Sequence, residues 1–221
     1  MIVELWLYSI SVFIMQPSCE YKEEFLLTEQ IIEFQLPNSP DPILYHYYKG
    51  LQNRTFYINA EIDSDLVDMV AMPLLAADRE DPEKPITIYI NTVGGSVFDG
   101  FNLCDIIRSL QSPTQIIVLG YAYSMGAFLL MAGANKSNIT RKCFHFSTGL
   151  MHGGSSFIQG TASQVKDYYK FAERFEEKIE AFVLENTNFT KEEYDKIERQ
   201  ELYMTAEDML EKGLVDEIVY G

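Results

Sequence analysis

Basic residues are scarce in this sequence. Seventeen Lys and Arg stand against thirty-three Asp and Glu, a formal net charge of −16 and a sequence pI near 4.5. Such a surface repels phosphate, so neither nucleic acid nor an anionic membrane is an expected partner. Cysteine is rare as well. Cys19, Cys104 and Cys143 are odd in number and lack metal-ligand spacing, which excludes a disulfide framework or zinc site and fits a cytoplasmic or other reducing compartment. With three histidines in all, any imidazole base must be His46, His145 or His152. The apolar opening "MIVELWLYSISVFIM" carries Glu4 and no basic segment. It reads as neither a signal peptide nor a membrane span. No repeat, low-complexity tract or phosphate-binding loop is present, so no cofactor or metal is expected and any use of ATP falls to a partner.

What is present is material for a large core. The 221 residues are 47% hydrophobic, a size and composition typical of one α/β domain. Residues 1–52 read as a separate, partly stranded N-terminal extension, with an acidic patch at Glu20, Glu23 and Glu24 and the loop "LPNSPDP" at 36–42. From residue 53 the pattern is regular. Strands are predicted at 54–60 and 86–91, and a nearly continuous apolar strand at 114–121. Helices are predicted at 64–80, capped by Asp63 or Ser64 and disturbed by Pro73, and at about 97–110. A short helix follows "GYAYS" and ends at Gly133. This alternation implies a mainly parallel sheet with right-handed crossovers.

The second half differs. Residues 141–163 are extended and glycine-rich, and they lead into a long helix at about 161–187. Its stripe of Val165, Tyr168, Ala172, Phe175, Ile179 and Phe182 requires a partner, most simply another subunit, with intramolecular packing as the alternative. A helix near 191–199, the strand "LYM", a helix opened by the Thr205–Asp208 capping box and a closing strand "LVDEIVY" complete the chain.

In a parallel α/β domain, ligands bind at the turns beyond the carboxyl ends of the strands. Two such turns carry chemistry. At Gly94–Gly95, backbone N–H groups can approach a ligand closely. At "GYAYSMG" (120–126), Ser124 opens a helix, where free N–H groups and the positive dipole end stabilise negative charge. A tetrahedral intermediate on Ser124 could be held by the amides of Gly95 and Met125. The structural alternatives are helix capping for Ser124 and a tight turn for the glycines. A nucleophilic serine needs a base. His152, at a strand end before Gly153–Gly154, is the best placed of the three histidines. The orienting acid is not identifiable from pattern alone.

At these residues the sequence resembles the Clp protease proteolytic subunit, ClpP, over roughly residues 53–220. "EDPEKPITIYINTVGGSV" is similar to the family's "EDPEK…YINSPGGSV". "GYAYSMGAFLLMAGA" resembles the stretch around the nucleophile, "GLMHGG…QGTASQV" the histidine strand and handle, and "MTAEDMLEKGLVDEIV" the C-terminal "SAEEA…GLVDEV". The resemblance implies a crotonase-like α/β fold over 53–221, with a protruding handle of strand plus long helix at about 153–187. It implies a serine endopeptidase acting on unfolded protein and peptide chains, with Ser124 as nucleophile, His152 as base and the amides of Gly95 and Met125 as oxyanion hole. It also implies a homo-oligomer of two stacked heptameric rings, a tetradecamer, fed by an AAA+ ATPase.

The sequence departs from the family at several points. The family's aspartate falls on Glu201, which keeps the charge with one more methylene, and Ser-His-Glu triads are chemically workable. Glu198 and Asp195 are alternative acids. The family's neighbouring arginine is Gln200, with Arg199 adjacent, and "HQP" is His152-Gly153-Gly154. A short insertion, "NKSNIT", precedes the histidine strand. Two other readings follow from the sequence. One is a catalytically impaired structural subunit of a mixed ring, and the other is an acyl-CoA enzyme on the same fold.

Overall fold

A computed structural model of the chain describes residues 42–155 and 157–220. The apolar opening, Cys19 and the acidic patch lie outside the described residues. The described chain contains seven helices and seven strands. In order these are α1 (Pro42–Gln52), β1 (Thr55–Ile58), α2 (Ser64–Glu80), β2 (Ile86–Thr92), α3 (Val97–Ser109), β3 (Thr114–Tyr123) and α4 (Met125–Ala132). Then come β4 (Ile139–Phe144), β5 (Thr148–Met151), α5 (Ala162–Asn186), α6 (Lys191–Ile197), β6 (Leu202–Met204), α7 (Ala206–Glu211) and β7 (Glu217–Val219).

The β-branched strands form the centre. The sheet runs β1-β2-β3-β4-β7, with β5 on β3 and β6 on β5. All pairings are parallel except β5–β6. β2 alternates buried and half-buried residues, as a strand with period two must when one face meets a helical layer. Ile86, Ile88, Ile90, Ile116 and Val118 are fully buried. On the opposite face the register partners Tyr57 and Tyr89 stack, with ring centroids 5.5 Å apart.

β3 is the longest strand, and it changes partner along its length. Its first half pairs with β4 through Val118, and its last residues, Tyr121 to Tyr123, pair with β5. At the changeover the buried Ser147 hydroxyl donates to the Val118 carbonyl at 3.0 Å. Loss of that acceptor's strand partner is thereby satisfied.

Two expectations about local structure change. Residues 42–52, expected to be partly stranded, form α1. Pro73 does not break α2, which is continuous from Ser64 to Glu80 and capped by the Asp63 side chain on the Leu66 N–H. A proline at 73 removes the N–H that would bond the carbonyl of Met69. The Tyr47 hydroxyl of α1 supplies the missing donor, at 2.9 Å from that carbonyl.

The insertion lies between α4 and β4. Asn138 Nδ2 donates to the carbonyls of Leu110 and Ser112, and Asn135 Nδ2 to that of Glu185. Arg141 then pairs with both oxygens of Asp216 on the way into β7.

α5 begins at a capping box that was not anticipated from sequence, Thr161 with Gln164. The described residues between Met151 and α5 join no strand of this chain, so the handle here is one long helix behind an irregular segment. The C-terminal half of the helix does not need a second subunit to cover its stripe. Phe101 meets Phe175 and Phe182 edge-on at 5.6 and 5.9 Å, and Phe128 stacks on Phe182 at 6.3 Å. Aromatic pairs at these distances and angles are favourable beyond their buried area. The N-terminal half of α5 stays exposed, Tyr169 among it. No helix among the described residues is long and apolar enough to cross a membrane.

Candidate functional site

α4 is apolar all round, and every one of its residues except Phe128 is buried. Its first residue must therefore be reached by a sharp turn out of β3, and Ser124 makes that turn with φ 52° and ψ −118°. L-residues seldom hold this conformation, which costs of order 1–3 kcal/mol unless its surroundings fix it. Here the Ser124 N–H donates to the Leu150 carbonyl of β5 at 2.8 Å, and its carbonyl accepts the Ala127 N–H at 2.9 Å. The hydroxyl makes no capping bond. Capping, the structural alternative for this serine, is therefore absent. A strained serine with a spare hydroxyl at a strand-to-helix turn matches the geometry of a nucleophile elbow.

The glycine pair packs beneath it. Gly94 and Gly95 have φ of 95° and 151°, and a Cβ on Gly94 would lie 2.7 Å from both Ser124 Cβ and the Tyr123 carbonyl oxygen. Only glycine lets this turn approach the elbow. Ile62 donates to the Gly94 carbonyl, and its own carbonyl accepts from Ser96, each at 2.7 Å. In a parallel bridge of this kind the central residue's amide points the other way. The Gly95 N–H thus faces away from Ile62. Met125, the first residue of α4, has an N–H with no intrahelical acceptor.

β5 places His152. Its partner β3 sets Tyr123 against Leu150, so the next residue on each chain is Ser124 and Met151, with His152 one step further. Ser124, Met125 and His152 all line one cleft of about 420 Å³. Within it the Ser124 hydroxyl and the His152 imidazole are not joined by a hydrogen bond, and such bonds are commonly loose before substrate binds. The Gly153 N–H donates to the Ile197 carbonyl, which ties the segment after His152 to the end of α6.

The cleft walls are mostly aromatic, with Phe98, Phe101, Phe171 and Phe175 prominent among the lining residues. Phe98 stacks on Phe175 at 5.4 Å and on Phe171 at 6.3 Å. The end of α6 adds Glu198 and Arg199. The Tyr194 phenol beside them is pushed up to about 12, mainly by burial and then by the Glu198 carboxylate.

Glu201 is not among the cleft's lining residues, and its carboxylate Oε2 accepts from the Tyr203 hydroxyl at 2.9 Å. Gly149 faces Met204, Leu150 faces Tyr203 and Met151 faces Leu202, so His152 and Glu201 are the residues that follow the last pair of the antiparallel ladder, one on each side. The remaining histidines are occupied elsewhere. His145 Nδ1 lies 3.4 Å from Glu207, and the His46 ring meets Tyr45 edge-on in α1.

The chain matches the Clp protease family model over residues 41–221. It belongs to the Clp protease family. The match takes in α1 as well as the regular part of the chain, and the sheet and helices described above are the ClpP-type α/β fold. Two features of this Clp-family site were not anticipated from sequence. The aromatic lining comes from two helices far apart in the chain, so no local pattern reveals it. Tyr203 was readable in principle, because strand alternation puts it on the same face as Glu201.

Proposed function

We propose that the chain is a serine endopeptidase, the proteolytic core subunit of an ATP-dependent Clp-type protease acting on unfolded protein chains. Ser124 Oγ attacks the scissile carbonyl while His152 takes its proton. The Gly95 and Met125 amides receive the oxyanion, and Glu201 orients the imidazole and balances its charge. His152 then gives the proton to the leaving amine, and a water activated by the same imidazole releases the acyl group. The aromatic cleft beside Ser124 suits an apolar side chain next to the cleaved bond. The observation that carries the reading is the strained, uncapped Ser124 in one cleft with His152.

The wider assembly is part of the same proposal. Subunits stack as two heptameric rings, and a ring-shaped AAA+ ATPase supplies substrate. Residues 1–52 form the axial region before a peptidase domain at 53–221. Exposed apolar side chains on the handle, such as Phe157 and Tyr169, support contact between subunits. The free, buried thiols of Cys104 and Cys143 support a reducing, cytoplasmic setting.

A fluorophosphonate probe, with mapping of the modified residue on monomer and oligomer fractions, tests the chemistry. Labelling at Ser124, lost in Ser124→Ala together with peptide cleavage, is expected. Labelling at another residue refutes it. A second reading, the impaired structural subunit of a mixed ring, is favoured by the engagement of Glu201 with Tyr203. It predicts co-assembly with an active paralogue and no labelling of this chain alone.

A further inference from the structure

Glutamate reaches further than aspartate, and its extra torsion has to be fixed before the carboxylate can hold an imidazole in one place. β6 supplies a means. Its side chains alternate between faces, so Glu201 and Tyr203 lie on the same side. The Tyr203 hydroxyl donates to Glu201 Oε2 at 2.9 Å, while Oε1 accepts from no described side chain. A carboxylate has two oxygens and about four lone-pair sites, so one contact leaves the other oxygen available.

Tyr203 is itself braced. Its ring meets Tyr123 edge-on, with centroids 6.2 Å apart and an interplanar angle of 87°. Tyr123, the residue before Ser124, is fixed in turn by a 2.9 Å hydrogen bond between its hydroxyl and Thr148 Oγ1. The segment that carries the serine therefore also braces the phenol. The β5–β6 ladder ends with Met151 facing Leu202, and His152 and Glu201 are the residues next to that last pair on their two strands. Glu201, as acceptor, holds the Tyr203 phenol protonated above its ordinary range.

We propose that Tyr203 is a positioning residue for acyl transfer: its hydroxyl fixes Glu201 through Oε2 and leaves Oε1 to take the Nδ1–H of His152. The assignment rests on the serine-peptidase reading. It explains how a glutamate can serve at this position, because the tyrosine removes the freedom that the additional methylene introduces.

A double-mutant cycle tests it, read by the rate of fluorophosphonate labelling at Ser124 and by peptide turnover in assembled protein. Tyr203→Phe keeps the exposed ring and removes one hydroxyl. It is expected to lower both rates about tenfold with KM unchanged, since a charge-assisted hydrogen bond to a carboxylate is lost. In a Glu201→Ala background the same substitution is expected to have no further effect, and Glu201→Asp is expected to restore part of the rate in Tyr203→Phe. The contact has its own readout in ¹³C-tyrosine NMR titration. The Tyr203 phenol titrates above the ordinary tyrosine range in the wild type and returns toward it in Glu201→Gln. Labelled wild type with an unaffected Tyr203→Phe overturns the positioning role alone, as does an equal loss in both backgrounds or a Tyr203 titration indifferent to Glu201→Gln. Wild-type protein that resists labelling at Ser124 overturns the peptidase reading and this role with it.

Discussion

Replacing Ser124 with glycine should relieve backbone strain while removing the proposed nucleophile. The backbone there sits at φ 52°, ψ −118°, a conformation disfavoured for any residue with a Cβ. Its cost is of order 1–3 kcal/mol. Glycine removes that cost and introduces a greater loss of chain entropy on folding, roughly 0.5–1 kcal/mol. The fair reference is Ser124→Ala, which also lacks the hydroxyl but keeps the Cβ and its strain. The net expectation is that Ser124→Gly is more stable than Ser124→Ala by about 1 kcal/mol. For a domain of this size that corresponds to about 2–4 °C in Tm. Both variants should be inactive toward peptides. Thermal unfolding at one fixed protein concentration, with oligomeric state checked by sedimentation, makes the comparison. A glycine variant melting at or below the alanine variant would show that the turn is not strained. The case for a serine held there for chemistry would then lose its physical basis.

Other consequences can be checked separately. Gly94→Ala puts a methyl 2.7 Å from Ser124 Cβ and the Tyr123 carbonyl at φ 95°. Because the Tyr123 carbonyl is main chain and cannot simply swing aside, Ser124 must shift. Labelling at Ser124 should fall at least tenfold, roughly what a fraction of an ångström of misplacement costs. Tyr47→Phe leaves the Met69 carbonyl unpaired beside Pro73 and should lower stability by about 0.5–1 kcal/mol in urea unfolding, with m unchanged. The Lys212 ammonium beside Glu193 holds that carboxyl at about 2, below its ordinary value of 4.5. A depressed carboxyl stabilises the fold fully above its unfolded pKa and loses that contribution as pH falls through about 2. Glu193→Gln should therefore be less stable than wild type at pH 6 and should converge with it near pH 2.

Much of this architecture is legible in the residues themselves. The β-branched run at 86–92, the Asp63 cap and the Thr161 and Thr205 capping boxes are local signals, and the chain obeys them. α1 is not legible in the same way. Its sequence "PILYHYYKGLQ" is rich in aromatics, which favour strands as readily as helices, and its role is tertiary: Tyr47 completes α2 at Pro73. The site divides along the same line. Ser124 and the glycine pair are visible because turns have local chemistry. The uncapped hydroxyl is not, since an N-terminal serine has the same sequence whether it caps or not. The aromatic cleft joins α3 to α5 across fifty-two intervening residues, and packing at that range leaves no periodic trace. Glu201 was reached through the family resemblance alone, since no local pattern singles out one carboxylate among thirty-three.

β5 is only four residues long, yet it borders the serine's strand on one side and the glutamate's on the other. It acts as a ruler between the three residues of the proposed triad. A deletion or insertion of one residue within it would turn alternate side chains to the wrong side and set the imidazole off by a full rung. Length variation in descendants of this gene should therefore accumulate where the strand count is indifferent to it, as in the asparagine-pinned loop at 135–138, and leave residues 148–152 at constant length.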